Sequence, residues 1–436
     1  MQHGRMRWLV SLVPVVLTGC NWVFGLDAPR GGDGAADGPA PGDGGNERAE
    51  QVVAGTNHTC VRRGTKARCW GSGASGQLGL DDTADVGDNE PASAGGDVAL
   101  DRPVVSLAAG GDHTCAMTEG GDVSCWGTGA RGQLGYGNTL SIGDDEPPSA
   151  AGAVPLGVAV SSITAGSSHT CAVTLGAQLS CWGAGGEGRL GYGNLNDVGD
   201  NEPPSAAGTV MGPLATIHAS AGGQHTCAVD GNNAVSCWGS GANGRLGYGN
   251  INNIGDTEPP AAAGVISVGA QARRVVAGDR HSCALLVNGD VRCWGFGGDG
   301  RLGSGNEDDI GDGESPASVP PVDIGGSVIQ LAAGGAHTCA LIEGGAVRCW
   351  GSGARGQLGH GDQENIGDNE SPAVAGDVPL GAAATAIAAG GDHTCALLDS
   401  GDVMCWGSGS NGQLGYGNQN DIGDNETPAS AGPVPL

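Results

Sequence analysis

The sequence predicts an all-β chain: a seven-bladed β-propeller with four-stranded blades, its ring closed by the C-terminal strand pairing into the first blade. Three observations predict it. One pattern, A-G-x-x-H-[ST]-C, then a short turn, then C-W-G, occurs seven times. Its tryptophans fall 56 residues apart, at Trp70, Trp126, Trp182, Trp238, Trp294, Trp350 and Trp406. A period of this length marks one supersecondary unit per repeat. Each unit holds four short β-prone segments separated by glycine, as in VMGPL, IHASAG, HTCAV and AVSCWG, which is the make-up of a propeller blade. Residues 51–436 span close to seven periods. They begin without the V-P-L segment that precedes the motif elsewhere and stop on one, Pro433-Val434-Pro435-Leu436. Strand exchange between the two ends would complete the ring and remove an exposed sheet edge.

Ahead of the repeats the sequence changes character. Arg5 and Arg7 precede an apolar run over residues 8–17, too short to span a membrane, which ends in Leu17-Thr18-Gly19-Cys20. That pattern matches a bacterial lipoprotein signal. Residues 1–19 are then a removable signal peptide, and Cys20 is the lipid attachment site. Asn21 favours an outer-membrane destination in the bacterial envelope, periplasmic or surface-exposed. An ordinary secretory peptide with an incidental cysteine is the alternative. Residues 20–50, rich in Gly, Ala, Asp and Pro, lack periodicity and read as a flexible tether. Residues 51–436 are the folded part.

Charge narrows the partners. Lys and Arg number 19 against 47 Asp and Glu. Loss of residues 1–19, which hold two arginines and no acid, leaves 17 against 47, a net charge of about −30. Such a surface repels nucleic acid and anionic lipid. A protein or glycan partner, a monomer, and a membrane link only through the anchor are the expectations.

Of 15 cysteines, 14 fall into pairs inside the repeats: Cys60 with Cys69, Cys115 with Cys125, Cys171 with Cys181, Cys227 with Cys237, Cys283 with Cys293, Cys339 with Cys349 and Cys395 with Cys405. In an exported chain an even set reads as disulfides. The unit HTCAMTEGGDVSCWG explains how. If Glu119-Gly120-Gly121 is a three-residue hairpin loop, Met117 opposes Val123 and Cys115 opposes Cys125, both on one face of the ribbon. The first repeat has one residue fewer between its cysteines, which leaves the two-residue turn Gly64-Thr65 and the same register. Aromatic residues are only 3% of the chain, so seven covalent staples would matter to a core built from Val, Leu, Ala and one Trp per unit. A zinc site from the histidine and both cysteines is the rival, but it supplies three ligands where a structural site takes four.

The motifs G-x-x-H-[ST]-C-A-L, V-x-C-W-G and G-[QR]-L-G-x-G together resemble the regulator of chromosome condensation repeat over residues 51–436. The resemblance implies a seven-bladed propeller in which His58, His113, His169, His225, His281, His337 and His393 tie turns or blades together. A ring of seven imidazoles binding an anion or a metal at the axis is the alternative. It also suggests a nucleotide exchange factor-like regulator of a GTPase, which export and the acidic charge disfavour.

Each repeat departs from that family in one respect, an acidic excursion G-D-x-E followed closely by proline. Its acids are Asp88 and Glu90, Asp144 and Glu146, Asp200 and Glu202, Asp256 and Glu258, Asp312 and Glu314, Asp368 and Glu370, and Asp424 and Glu426. Solvated turns are the plain reading. Weak calcium sites, in an adhesive or envelope-structural protein, are the alternative. No asymmetric nucleophile–base constellation stands out, so no catalytic residue and no enzyme activity are expected. Phe296 is the one aromatic in the repeats that follows no schedule.

Overall fold

The computed structural model describes residues 48–212 and 215–436. The expected signal peptide, Cys20 and the expected tether up to residue 47 lie outside the described residues. Seven three-stranded antiparallel sheets follow one another in sequence order. Their strands are Ala49–Ala54, His58–Arg63 and Lys66–Gly71 in blade 1, and Val104–Ala109, His113–Thr118 and Val123–Gly127 in blade 2. Blade 3 has Val160–Ala165, His169–Thr174 and Leu179–Gly183; blade 4 has Thr216–Ala221, His225–Asp230 and Val235–Gly239. Blade 5 has Ala272–Ala277, His281–Leu286 and Val291–Gly295; blade 6 has Val328–Ala333, His337–Ile342 and Val347–Gly351. Blade 7 has Ala384–Ala389, His393–Leu398 and Val403–Gly407. The first strand begins at Ala49, so Ala49 and Glu50 belong to blade 1 rather than to a tether. Ala49 is buried and Glu50 pairs with Arg62.

The hairpin register runs as the cysteine spacing requires. Cys115 opposes Cys125 and Met117 opposes Val123, and Cys60 opposes Cys69 across the shorter first turn. All seven pairs are bridged, with Cα atoms 4.0–4.1 Å apart. The bridges join Cys60 to Cys69, Cys115 to Cys125, Cys171 to Cys181 and Cys227 to Cys237 in blades 1 to 4. They join Cys283 to Cys293, Cys339 to Cys349 and Cys395 to Cys405 in blades 5 to 7. With both sulfurs of each pair spent on each other, the rival zinc site has no thiolate to use. The strand-borne Val, Leu and Thr suit a half-buried pleated surface. One tryptophan per blade, fully buried or nearly so, fills the space between neighbours.

Two expectations need correcting. Among the described residues a fourth strand does not form. The V-P-L segment contacts the third strand through one hydrogen bond, Val154 N–H to Val123 O at 2.7 Å, and then turns away as Leu156 N–H bonds back to Val154 O. Pro155 has no N–H to extend a ladder. The C-terminal segment also does not enter blade 1. Val434 N–H bonds to Val403 O of blade 7, because every blade takes its outer segment from the residues after its own excursion, and blade 1 takes Val98. Blades 7 and 1 meet through Gly391 N–H to Gly55 O and Ser93 N–H to Pro435 O, as other neighbours do at equivalent positions.

The excursions are ordered. Gly127 and Ile142 exchange two backbone hydrogen bonds, and each excursion ends in a short helical turn such as Pro148–Ala150 or Pro204–Ala207. Proline suits that first helical position, since the N–H it lacks would have no partner there.

Candidate functional site

Each blade presents two ends. At one lie the turn into the middle strand, which carries the repeated histidine, and the glycine-rich turns after C-W-G; we call this the latch face. At the other lie the hairpin tips and the starts of the inner strands.

On the latch face the seven histidines join neighbours. His58 Nε2 lies 2.8 Å from Thr114 Oγ1 of blade 2, and the same contact recurs around the ring to His393 and Thr59, with Ser282 replacing threonine once. Each hydroxyl has one proton and donates it to a backbone carbonyl of the preceding blade, as Thr114 does to Gln77 O. The histidine must therefore donate from Nε2, which fixes the neutral tautomer and leaves Nδ1 without a partner. Burial depresses the histidines, to about 3 for His58 and His393 and about 4 for His113 and His337. In five blades the tryptophan Nε1–H shares the same carbonyl, as Trp126 does with Gln77 O. The imidazoles do not converge on an axial ligand. Each Nε2 is committed to a neighbour's hydroxyl, so the histidines hold the ring.

The acidic excursions strap neighbours together. Gly143, just before Asp144, sits at φ +90° against Gly76 of blade 1, where a Cβ would lie 2.5 Å from Gly76 O. A carboxylate or amide ahead of the motif caps the glycine turn, as Asp85 Oδ1 does for Gly73 N–H at 2.9 Å.

The acids of the motif are spent in different ways. Glu314 and Glu370 accept from the N–H of Gly311 and Gly367. Glu258 accepts from the Thr257 hydroxyl at 2.6 Å. Glu90 and Glu202 back onto Gly417 and Gly137, where a Cβ would lie 3.1 and 3.3 Å from their carbonyl carbons. Burial, then the charge of Asp424, pushes the Glu426 carboxyl up. Asp88, Asp200, Asp368 and Asp424 each keep one carboxylate oxygen covered and without a partner.

The calcium candidates therefore do not form seven clusters. Among the described residues, one group of three possible ligands has its ligand atoms within 4.8 Å of one another: Asp144, Asp145 and Glu146. No such group forms around Asp88 and Glu90, Asp200 and Glu202, Asp256 and Glu258, Asp312 and Glu314, Asp368 and Glu370, or Asp424 and Glu426. In those repeats the pair has no third acid beside it, since the residue between is Asn, Thr or Gly. Burial, then the bond to Asp145 and the charges of Asp145 and Asp144, push Glu146 up to about 7. Sequence reasoning passed over Asp145, although G-D-D-E occurs only in this repeat. It also missed the capping role of Asp85 and its equivalents, because the capped glycine lies 12 residues away in the chain.

The hairpin face is asymmetric. Blades 3 to 6 expose aliphatic side chains: Val158, Leu175 (72% exposed), Ile217, Val287 and Ile329. Leu175 N–H bonds to Ala159 O, and Thr216 N–H to Ala177 O, which ties the hairpin tip of blade 3 to the strand starts of blades 3 and 4. Ion pairs lie at this end in blades 1 and 2, Arg62–Glu50, Lys66–Asp97, Arg68–Asp97 and Arg102–Asp122, and blade 6 repeats one of them as Arg348–Asp377. The scattered hairpin tips gave no periodic signal in the sequence.

Similarity to known proteins agrees with this architecture. Residues 104–133, 160–189, 217–245, 272–301, 328–357 and 384–413 match the description "Regulator of chromosome condensation (RCC1) repeat", as do 69–117, 120–173, 288–341 and 344–397. The ultraviolet-B receptor UVR8 of Arabidopsis thaliana is 32% identical over 374 residues, 85% of this chain and 79% of the receptor. The human E3 ubiquitin-protein ligase HERC2 is 30% identical over 81% of this chain but only 7% of the ligase. Among solved structures, Prp20p of Saccharomyces cerevisiae, described with its binding to Gsp1p and histones, superposes with a TM-score of 0.64 at 19% identity. That match covers 89% of this chain and 88% of Prp20p.

Proposed function

Because the chain belongs to the RCC1 repeat family, we propose that it is a protein-binding or scaffold propeller, exported and held to the bacterial envelope by a lipid on Cys20. The observation that carries the binding reading is the set of exposed aliphatic side chains that blades 3 to 6 place at their hairpin ends, since apolar surface gathered at one end marks interaction sites. Export rests on the sequence: the Leu17-Thr18-Gly19-Cys20 signal, the tether, and 14 paired cysteines suited to an oxidising compartment. Prp20p is described with Gsp1p and histones. A net charge of about −30 argues against a nucleic-acid target, and export argues against a histone target or a GTPase exchange role shared with it. No catalytic residue is assigned.

Intact cells expressing the tagged chain and its Cys20→Ala variant test both parts. Radiolabelled palmitate on the parent and none on the variant supports the anchor, and an unlabelled parent removes it. Cross-linking then reads the partner separately: a stoichiometric protein on the parent supports the module. No protein partner on either form turns the reading toward a glycan.

A second reading, calcium binding, is favoured by Asp144, Asp145 and Glu146 and by the covered Asp oxygens. Calcium at about 1 mM then raises the melting temperature, and Asp145→Asn removes the rise. An unchanged melting curve ends this reading.

A further inference from the structure

Blade 5 breaks the repeat on the latch face. Before its histidine stands Arg280, where the other blades have Asn57, Asp112, Ser168, Gln224, Ala336 and Asp392. After C-W-G stands Phe296, where the others have Ser, Thr or Ala. The two substitutions meet. The Arg280 guanidinium carbon lies 4.1 Å from the centre of the Phe296 ring, and that of Arg301 lies 4.8 Å from the same ring. Gly298 clears the seat, since a Cβ there would come within 2.5 Å of the ring.

The two arginines are used differently. Arg301 is 5% exposed and fully engaged, with Nε to Gly298 O, Nη1 to Gly335 O and Nη2 to Asp299 Oδ2. Arg280 is exposed, and its Nη2 donates to Asn243 Oδ1 of blade 4 at 3.0 Å. Asn243 is oriented in turn. Its Nδ2 donates to Asp309 Oδ2, and Asp309 Oδ1 accepts from Gly297 N–H. So the nearby carboxylates of Asp299 and Asp309 are committed elsewhere, while Nε and Nη1 of Arg280 still have protons to offer. Burial first, then the charge of Arg280, lowers the pKa of Arg245, while the charges of Asp279 and Glu187 act the other way.

A guanidinium stacked on a ring and tied by one hydrogen bond has lost its rotamer freedom before a ligand arrives, so binding does not bear that ordering cost. Its planar fork matches a carboxylate in two parallel hydrogen bonds. We propose that Arg280, backed by Phe296 and oriented by Asn243, is a binding site for an Asp or Glu side chain of a protein segment lying across the latch face at blades 4 and 5. A polyanion is the wrong ligand for a chain this acidic, whereas one carboxylate meets one pre-set cation. Interfaces also concentrate their energy in arginine and aromatic side chains. The site lies on the face opposite the aliphatic patch and stands whether or not that patch binds.

The test uses the full chain and two fluorescein-labelled, C-terminally amidated octapeptides of glycine with a single central Glu or a single central Gln, with fluorescence anisotropy at low and physiological salt. The glutamate peptide is expected to bind at least about tenfold tighter than the glutamine peptide. Arg280→Lys, which keeps the charge and loses the fork, weakens it about tenfold, Phe296→Ser weakens it less, and Arg62→Ala on the hairpin face leaves it unchanged. Melting temperatures confirm that the variants are folded, as expected for an exposed arginine. No binding of the glutamate peptide at about 1 mM, equal binding of the two peptides, or equal binding by parent and Arg280→Ala overturns the proposal. Displacement by inorganic phosphate as effective as by glutamate overturns its carboxylate selectivity.

Discussion

The two faces of the propeller follow different rules. On the latch face nearly every position recurs at 56 residues, because histidine, hydroxyl, tryptophan and glycine each complete a junction with the next blade. On the hairpin face the side chains at the tips differ from blade to blade, as at the exposed Leu175 and Val287, and the first turn, Gly64-Thr65, is one residue shorter than the rest. Strict repetition therefore marks what holds the ring, and departures from it mark what the ring offers to others. Arg280 and Phe296 refine that rule, since they are a departure placed within the repetitive face.

Acid should separate the faces most strongly. The unfolded chain takes up a proton on each latch histidine near pH 6.5, while burial keeps His58, His113, His337 and His393 neutral down to about 3–4 and holds His169, His225 and His281 well below the usual value. The unfolded state thus binds more protons below pH 6.5. Stability is full above that pH and falls as the pH drops toward 4, by up to about 1.4 kcal/mol per pH unit for each histidine. Thermal melting between pH 7 and 4 reads this, and His169→Gln should lower the proton count of the slope by one. A flat profile would mean the histidines are not sealed.

Next in size is the junction core. Trp182→Ala should cost about 3–5 kcal/mol, read by denaturant unfolding. Replacing both Cys171 and Cys181 with alanine should cost about 2–3 kcal/mol, the value expected for a loop of about eleven residues. Non-reducing peptide mapping should find the seven pairs and no free thiol among them. Gly143→Ala, at φ +90° and facing Gly76 O, should cost more than about 1 kcal/mol. Leu175→Asp on the hairpin face should change stability by less than about 0.5 kcal/mol.

Much of the latch side was legible in the sequence. Cysteine spacing gives the hairpin register, and the tryptophan period gives seven units, because both report contacts within one repeat or between identical ones. The fourth strand misled because V-P-L reads as β-prone, while Pro155 and the turn at Leu156 halt pairing after one bond. The closing strand misled because the outer segment of a blade follows its excursion, a pairing set by the chain's path and not by residue type. The acidic excursion was read as solvent-facing or calcium-binding. Its straps to the preceding blade are backbone contacts that side-chain chemistry does not announce, as at Glu90 and Glu202 against their glycines. The hairpin patch and the bond of Arg280 to Asn243 bring together residues from different blades, which no single repeat encodes.

The most direct test of the division is to cross-link intact cells carrying the parent, the Leu175→Asp/Ile217→Asp double variant, or Gly143→Ala, and to measure melting in parallel. The account predicts that the double variant melts with the parent and loses its protein partner, while Gly143→Ala melts lower and keeps the partner wherever it is folded. A double variant that retains the partner at parental stoichiometry would contradict the assignment of recognition to the hairpin face.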